Sequence, residues 1–367
     1  MHSESGSYPP GWRAEESSLS REGVQAVRDL QGIDLAGWHK RALAFEGELN
    51  KVVIGQQRVL RLLTIAIFAR GHVLLEGDVG VGKTTLLRAA ARGLGGDYER
   101  VEGTIDLMPA DMIYHTFIGE DGRPRVEPGP VIRYGSELTV FFFNEINRAR
   151  PQVHSLLLRL MAERSISAFN REYHFPYLLV FADRNRIERE ETFELPAAAR
   201  DRFLMEIAIA TPADTEIRRQ LAFNPRFHDS DRLIAAVPES ILDHRELPAV
   251  AAAIQTRVET SPDLERYTLD LWQAVRDPAA AGIDIPNVDM QRLINGGASP
   301  RGMSYLMRAA RVAAWLDQRS MVVPEDLRAV FFETMAHRIF FDPIYELRRE
   351  PIVRELVRQL FERVPAP

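Results

Sequence analysis

The run His72-Val-Leu-Leu-Glu76, followed by Gly77-Asp78-Val79-Gly80-Val81-Gly82-Lys83-Thr84-Thr85, decides the fold of this 367-residue chain. A short apolar stretch breaks into a glycine-rich turn, and the Ala/Leu-rich segment 83–92 then reads as a helix, giving strand, loop, helix. In that context the loop fits G-x-x-x-x-G-K-[ST]. Its glycines let backbone N–H groups wrap phosphate oxygens, and the helix N-terminus adds positive potential. Lys83 can reach the β- and γ-phosphates, and Thr84 offers a hydroxyl to Mg²⁺. A glycine turn that merely starts a helix would leave the Lys-Thr pair without a reason. The sequence therefore predicts an ATP and Mg²⁺ site built on residues 77–85.

Further apolar runs lie at 98–101, 138–143, 177–182 and 203–209, each separated by enough chain for a crossover. They predict an α/β fold with a mainly parallel five-stranded sheet. The runs Leu138-Thr-Val-Phe-Phe-Phe143 and Tyr177-Leu-Leu-Val-Phe181 do not alternate, as expected of central strands covered on both faces. Helical periodicity at 33–50 and 56–69 leads into this core. Two segments interrupt it: 105–133, with Asp121-Gly122 and Glu127-Pro-Gly-Pro130, and 165–175, which reads as a β-hairpin around Asn170-Arg171. From Pro212 onward helical patterns dominate, at 264–275, 302–316 and 324–340, and 351–364 carries one apolar stripe from Ile352 to Phe361. The expected organisation is a disordered tail at 1–33, an α/β nucleotide-binding domain at 34–211, a helical lid at 212–340 and an amphipathic helical extension at 341–367.

Composition narrows the function classes. With 46% hydrophobic and 27% charged residues the chain is an ordinary globular mixture, and no apolar run approaches the roughly 18 residues of a membrane span. The start Met1-His-Ser-Glu-Ser lacks a signal-peptide pattern, so a cytoplasmic protein is expected. Without cysteine there are no disulfides or thiolate metal sites, and a net charge of -6 argues against a general nucleic-acid binder.

A second chemical signal is Val140-Phe-Phe-Phe143-Asn144-Glu145, an apolar strand delivering polar residues at its C-terminal end, where open parallel sheets bind ligands. It resembles a Walker B box. Glu145 would polarise an attacking water. The preceding position, normally an aspartate facing Mg²⁺, is Asn144; an amide oxygen can accept from metal-bound water, but less strongly than a carboxylate.

With both boxes in view the chain resembles the MoxR family of AAA+ ATPases from about residue 50 to 340. The stretch Glu145-Ile-Asn-Arg148-Ala looks like the family's segment after Walker B. Residues 182–196, Ala-Asp-Arg-Asn-Arg-Ile-Glu-Arg-Glu-Glu-Thr-Phe-Glu-Leu-Pro, resemble its A-T-Q-N-P-I-E-Q-E-G-T-Y-P-L-P. Asp201-Arg202-Phe203, Gly297-Ala-Ser-Pro-Arg301 and Asp106-Leu-Met-Pro-Ala-Asp111 also match in family order. The resemblance implies a homo-oligomeric, hexameric ring that binds and hydrolyses ATP at subunit interfaces to remodel a partner, in chaperone-like fashion and often with a von Willebrand factor A-domain protein.

It also implies residue roles: Asn185 as the amide beside the γ-phosphate, Arg202 as an arginine finger, Arg301 as a lid arginine on nucleotide, and Val53, Ile54 and Gln56 beside adenine. Each has a plainer alternative: a turn asparagine for Asn185, a solvated arginine for Arg202 with Arg200 as rival, and simple packing for Val53 and Ile54. Arg301 has independent support, because Ser299 reads as an N-cap and Pro300 as N1, which puts a cation in a first helical turn where a bound phosphate would offset its cost. The chain departs from the pattern at Asn144, Arg150, Asp183, Arg184 and Arg186, all toward the γ-phosphate side. Asn144 motivates a second class, a nucleotide-switched scaffold with little hydrolysis. A DNA-processing motor, suggested by the 165–175 hairpin, is disfavoured by the acidic charge.

Overall fold

The computed structural model describes residues 32–78, 80–184 and 193–367. Nearly all of the expected 1–33 tail lies outside them. Two helices, α1 (Leu35–Val52) and α2 (Gln57–Phe68), precede β1 (His72–Gly77), the phosphate-loop segment and α3 (Lys83–Leu94). The sheet is completed by β2 (Asp97–Glu102), β5 (Leu138–Asn144), β8 (Leu179–Arg184) and β9 (Phe203–Ile209) in the order β2-β5-β8-β1-β9, with every pairing parallel. The five expected strands are all present, and the continuous apolar run of β5 is buried throughout, as its central place requires.

Alternation along each strand divides the core into two layers. Val73, Leu75, Phe142, Phe181, Met205 and Ile207 pack with α1, α2, α3 and helices of the lid. Leu74, Phe141, Phe143, Val180 and Ala182 face the other way, against Val153, Leu157 and Leu160 of α4 (Pro151–Glu163). Both faces of the sheet are therefore covered, and chemistry is confined to its ends.

The two interrupting segments are both hairpins. The expected one pairs β6 (Ser165–Ala168) with β7 (Arg171–His174) across Phe169 and Asn170, whose φ values of 51° and 57° suit a tight hairpin turn. In 105–133, β3 (Tyr114–Ile118) pairs with β4 (Pro124–Pro128), both strands exposed along their length. The rings of Tyr114 and Phe169, 5.5 Å apart, join the hairpins.

Beyond β9 the chain is helical, including α5 (Thr215–Phe223), α6 (Leu247–Arg257), α7 (Pro262–Arg276), α8 (Pro300–Leu316), α9 (Pro324–Met335) and α10 (Arg349–Arg363). Ser299 caps α8, its hydroxyl accepting from the Gly302 N–H at 3.2 Å with Pro300 at N1. The helix expected to reach residue 340 ends at Met335, because the aromatic pair Phe340–Phe341 forms a short strand against Ile294–Gly296 instead. The stripe on α10 is buried, with Leu356 and Leu360 fully covered and Phe361 packed edge-on to Phe331 at 5.0 Å.

Candidate functional site

Gly77 closes β1 where no other residue fits: a Cβ there would stand 2.4 Å from the Ile209 carbonyl oxygen. Gly80 and Gly82 take φ values of 81° and 88°, a region costly to residues with a Cβ, and nothing lies within 4 Å of where their Cβ atoms would be. The loop is thus wound into an open concavity ending at the N-terminus of α3, with Asp78 and Gly80 exposed and Val81, Gly82, Thr84 and Thr85 half-buried. Unpaired N–H groups at that end suit an anion. Val79 lies outside the described residues.

Lys83, the first residue of α3, turns back over the loop. Its ammonium donates to the Gly77 carbonyl at 2.7 Å and pairs with Asp183 at 2.9 Å. Asp183 stands next to Leu75 across the β1/β8 register and is 1% exposed. Its other oxygen accepts the Glu145 N–H at 2.6 Å. Glu145 adopts φ 53°, uncommon for a residue with a side chain, and its carboxylate pairs with Arg148 at 2.9 Å. Asn144, buried, donates its amide to Glu102 at 2.5 Å, the residue opposite it on β2. One carboxylate thus ties the phosphate-loop lysine to the backbone of the proposed general base. Sequence reading noted Asp183 only as a departure; the available signal was an aspartate closing an apolar strand.

The adenine-side candidates lie at the same end of the sheet. Gln56 donates to the Ala210 carbonyl at 2.6 Å, and Gly55 packs on Pro212 and Ile217, so Val53 and Ile54 sit where β9 ends beside Gly77. A cleft of about 780 Å³ opens nearby, lined by Gln56, Glu76, Arg184, Arg200, Glu206 and Arg349; it includes no residue of the loop 77–85. The charge and backbone geometry that suit phosphates lie in the loop and not in this cleft.

Arg202 and Arg301 lie elsewhere. Strands β1 and β9 run parallel with His72 opposite Phe203 and Gly77 opposite Ile209. Arg202 therefore stands at the opposite end of the sheet from the phosphate loop, roughly 20 Å away at the usual strand rise. Arg301 pairs with Asp201 at 2.8 Å, and Ser299 donates to the same carboxylate at 2.8 Å. A third partner is Arg338, only 1% exposed, at 3.1 Å from Asp201. Burial pulls the Arg338 guanidinium down to about 10 despite the Asp201 charge beside it. The rival Arg200 stacks on Phe340 at 4.9 Å, and burial, then Arg349, lower its pKa; Arg202 donates to the Ala198 carbonyl at 2.9 Å. Asn185 lies outside the described residues.

The donor set fits magnesium delivered with a nucleotide. Thr84, Asn144, Glu145 and Asp183 supply oxygen, the ligand type Mg²⁺ prefers. Among the described residues no group of three or more His, Asp or Glu could hold a metal alone. Mg²⁺ is commonly held by one or two carboxylates together with substrate phosphates, where it neutralises their charge.

A parallel α/β core with a phosphate loop, a polar strand end beside it and a helical lid defines an AAA+ P-loop protein. Residues 72–205 match the ATPase family associated with various cellular activities (AAA), and 289–358 match the AAA lid domain. The chain is 65% identical over 333 residues to Protein MoxR of Methylorubrum extorquens, covering 91% of this chain and 97% of that protein. Against Protein MoxR of Paracoccus denitrificans it is 61% identical over 334 residues, 91% and 98% of the two chains. Chaperone MoxR1 of Mycobacterium tuberculosis is 31% identical over 313 residues, 84% of this chain and 78% of that one. A crystal structure from Cytophaga hutchinsonii, 28% identical, covers 92% of this chain and 100% of its own with a TM-score of 0.74. This chain belongs to the MoxR family of AAA+ ATPases. Among the described residues no helix is long and apolar enough to cross a membrane.

Proposed function

We propose that this chain binds ATP with Mg²⁺ on residues 77–85 and hydrolyses it at the interfaces of a homo-oligomeric, hexameric ring, working on a partner protein. Lys83 neutralises the β/γ-phosphates, Thr84 and the polar strand ends face the metal, Glu145 polarises the water, and Val53, Ile54 and Gln56 flank the adenine. The observation that carries the ring reading is the separation of the two ends of the sheet. Arg301, paired with Asp201, and Arg202, the next residue in the chain after Asp201, lie at the end remote from their own phosphate loop, so they can meet a γ-phosphate most directly in a neighbouring subunit. Each chain then contributes to two sites.

The partner reading rests on the hairpins, which expose Phe117, Ile118, Val126 and Phe169 around the Tyr114–Phe169 contact. An apolar patch on loops held by a rigid core suits protein contact. The relative named Chaperone MoxR1 supports chaperone-like work, and a von Willebrand factor A-domain protein is the partner class the family resemblance suggests. A cytoplasmic location follows from the same reading.

The test mixes two inactive chains, Arg202→Ala and Glu145→Gln. Mixed rings contain some interfaces in which an intact Arg202 meets an intact Glu145, so ATPase activity should reappear on mixing. Unchanged activity in Arg202→Ala alone would remove the finger assignment. A second reading, a nucleotide-switched scaffold with little turnover, is favoured by Asn144; it predicts ATP-dependent assembly with no phosphate release in any mixture.

A further inference from the structure

Asn144 leaves the strand end beside the phosphate loop without the carboxylate that such boxes normally carry. We infer that Asp183, one strand nearer the loop, supplies that charge and faces the divalent ion accompanying the nucleotide. The inference rests on the ATP site proposed above and deepens it.

Three observations converge on Asp183. First, its carboxylate touches the loop's chemistry on both sides: one oxygen lies 2.9 Å from the Lys83 ammonium and the other accepts the Glu145 N–H at 2.6 Å. Second, strand order places it there. β8 lies between β1, which carries the phosphate loop, and β5, which ends in Asn144 and Glu145. A residue at the end of β8 therefore touches both. Third, Asn144 already has an occupation on the other side, donating its amide to Glu102 on β2. A carboxylate at 144 would stand against the Glu102 carboxylate at the distance of that bond. The neutral amide at 144 and the charge at 183 are two parts of one rearrangement.

The chemistry follows from burial. Asp183 is 1% exposed, and a buried carboxylate is tolerated when a cation or several donors satisfy it. Lys83 is that cation here. Phosphates entering the loop would draw the Lys83 ammonium toward themselves, and Asp183 would then need another positive partner. A divalent ion arriving with the phosphates meets that need. By holding the Glu145 N–H meanwhile, Asp183 stabilises the φ 53° conformation that fixes where the Glu145 carboxylate emerges.

The test is isothermal calorimetry of the full chain with a non-hydrolysable ATP analogue, with Mg²⁺ and with EDTA. The wild type should bind more tightly with Mg²⁺. Asp183→Asn should lose about tenfold of that Mg²⁺-dependent tightening, the loss expected when an ionised ligand becomes neutral, while EDTA affinity changes less than about threefold. Asn144→Ala, which leaves Asp183 intact and removes only a neutral donor, should lose less of the Mg²⁺-dependent part than Asp183→Asn does. The triple variant Glu102→Gln/Asn144→Asp/Asp183→Asn, which returns the carboxylate to 144 and removes its repulsion from 102, should recover the Mg²⁺ effect. The inference is overturned if Asp183→Asn keeps the Mg²⁺ effect, or if it weakens binding equally with and without Mg²⁺. It is also overturned if Asn144→Ala abolishes the effect, a result that holds even if Asp183→Asn does not fold. Wild-type protein that binds no analogue under either condition would instead remove the ATP-site reading itself.

Discussion

Replacing Asp201 by asparagine removes a charge that three side chains share. Arg301 reaches one carboxylate oxygen at 2.8 Å, while Ser299 at 2.8 Å and Arg338 at 3.1 Å reach the other. The partners are not equivalent. Arg301 is 47% exposed and its pair with Asp201 is worth little, about 0–1 kcal/mol. Arg338 is 1% exposed, and a buried guanidinium that loses its counter-charge costs about 3–5 kcal/mol. Arg338 also donates to the backbone carbonyls of Asp201 at 3.0 Å and Leu204 at 3.3 Å, and to those of Thr334 and Phe203. Those bonds survive the substitution, so the lower end, about 3 kcal/mol, is expected for Asp201→Asn. Urea unfolding followed by far-UV circular dichroism should show this as a lower midpoint at unchanged slope. Arg301→Ala, measured in parallel, should cost less than about 1 kcal/mol, since it removes an exposed pair. If Asp201→Asn cost no more than Arg301→Ala, the corner at 201 would not be what holds the lid to the sheet, and the placement of Arg202 would need another cause.

Three further outcomes are expected. Asn144→Asp alone should destabilise the fold by about 1–2 kcal/mol, because a hydrogen bond to Glu102 becomes a contact between carboxylates; adding Glu102→Gln should restore it, as urea midpoints will show. His72 is neutral by construction: its Nδ1 accepts the Val180 N–H at 2.9 Å while Nε2 faces the Met161 carbonyl at 3.2 Å, and burial, then Arg164, hold its pKa down to about 3. His337, buried beside Arg338, is also held well below the ordinary value. Because both folded values lie under the unfolded one, near 6.5, the stability each contributes is complete above that pH and is lost as the pH falls below it; for His72 the loss is about 1.4 kcal/mol at pH ~5.5. A His72→Gln chain whose unfolding free energy fell as steeply with acid would refute the His72 part. Changing Asn170 and Arg171 to Gly-Ser should leave ATP affinity within about threefold while abolishing partner co-purification; lost ATP binding with retained partner would make the hairpin a support of the core.

Much of the fold was legible because its signals are local. The phosphate loop announces itself within eight residues, since the glycines, lysine and threonine that suit phosphate must be adjacent. The continuous apolar run 138–143 foretold a central strand, the polar pair Asn170-Arg171 a hairpin whose turn falls one residue earlier at Phe169–Asn170, and Ser299-Pro300 the start of α8. The hairpin of 114–128 was not legible: its strands are exposed on both faces, so no alternation marks them. Nor was the break of α9 at Met335, where an aromatic pair favours a strand partner more than forty residues back in the sequence.

The sequence by itself determined that a phosphate-binding loop sits on a parallel sheet, because side-chain type and period suffice for that. Which charges meet was decided by tertiary structure alone. Lys83 and Asp183 are brought together by the lateral order of strands, and Asn144 finds Glu102 by register between β5 and β2. Asp201, Ser299, Arg301 and Arg338 meet only after the lid folds back on the start of β9. Period and propensity act over a few residues, whereas strand order and helix docking are set by the burial of whole faces, and the pairing of distant charges follows from that packing.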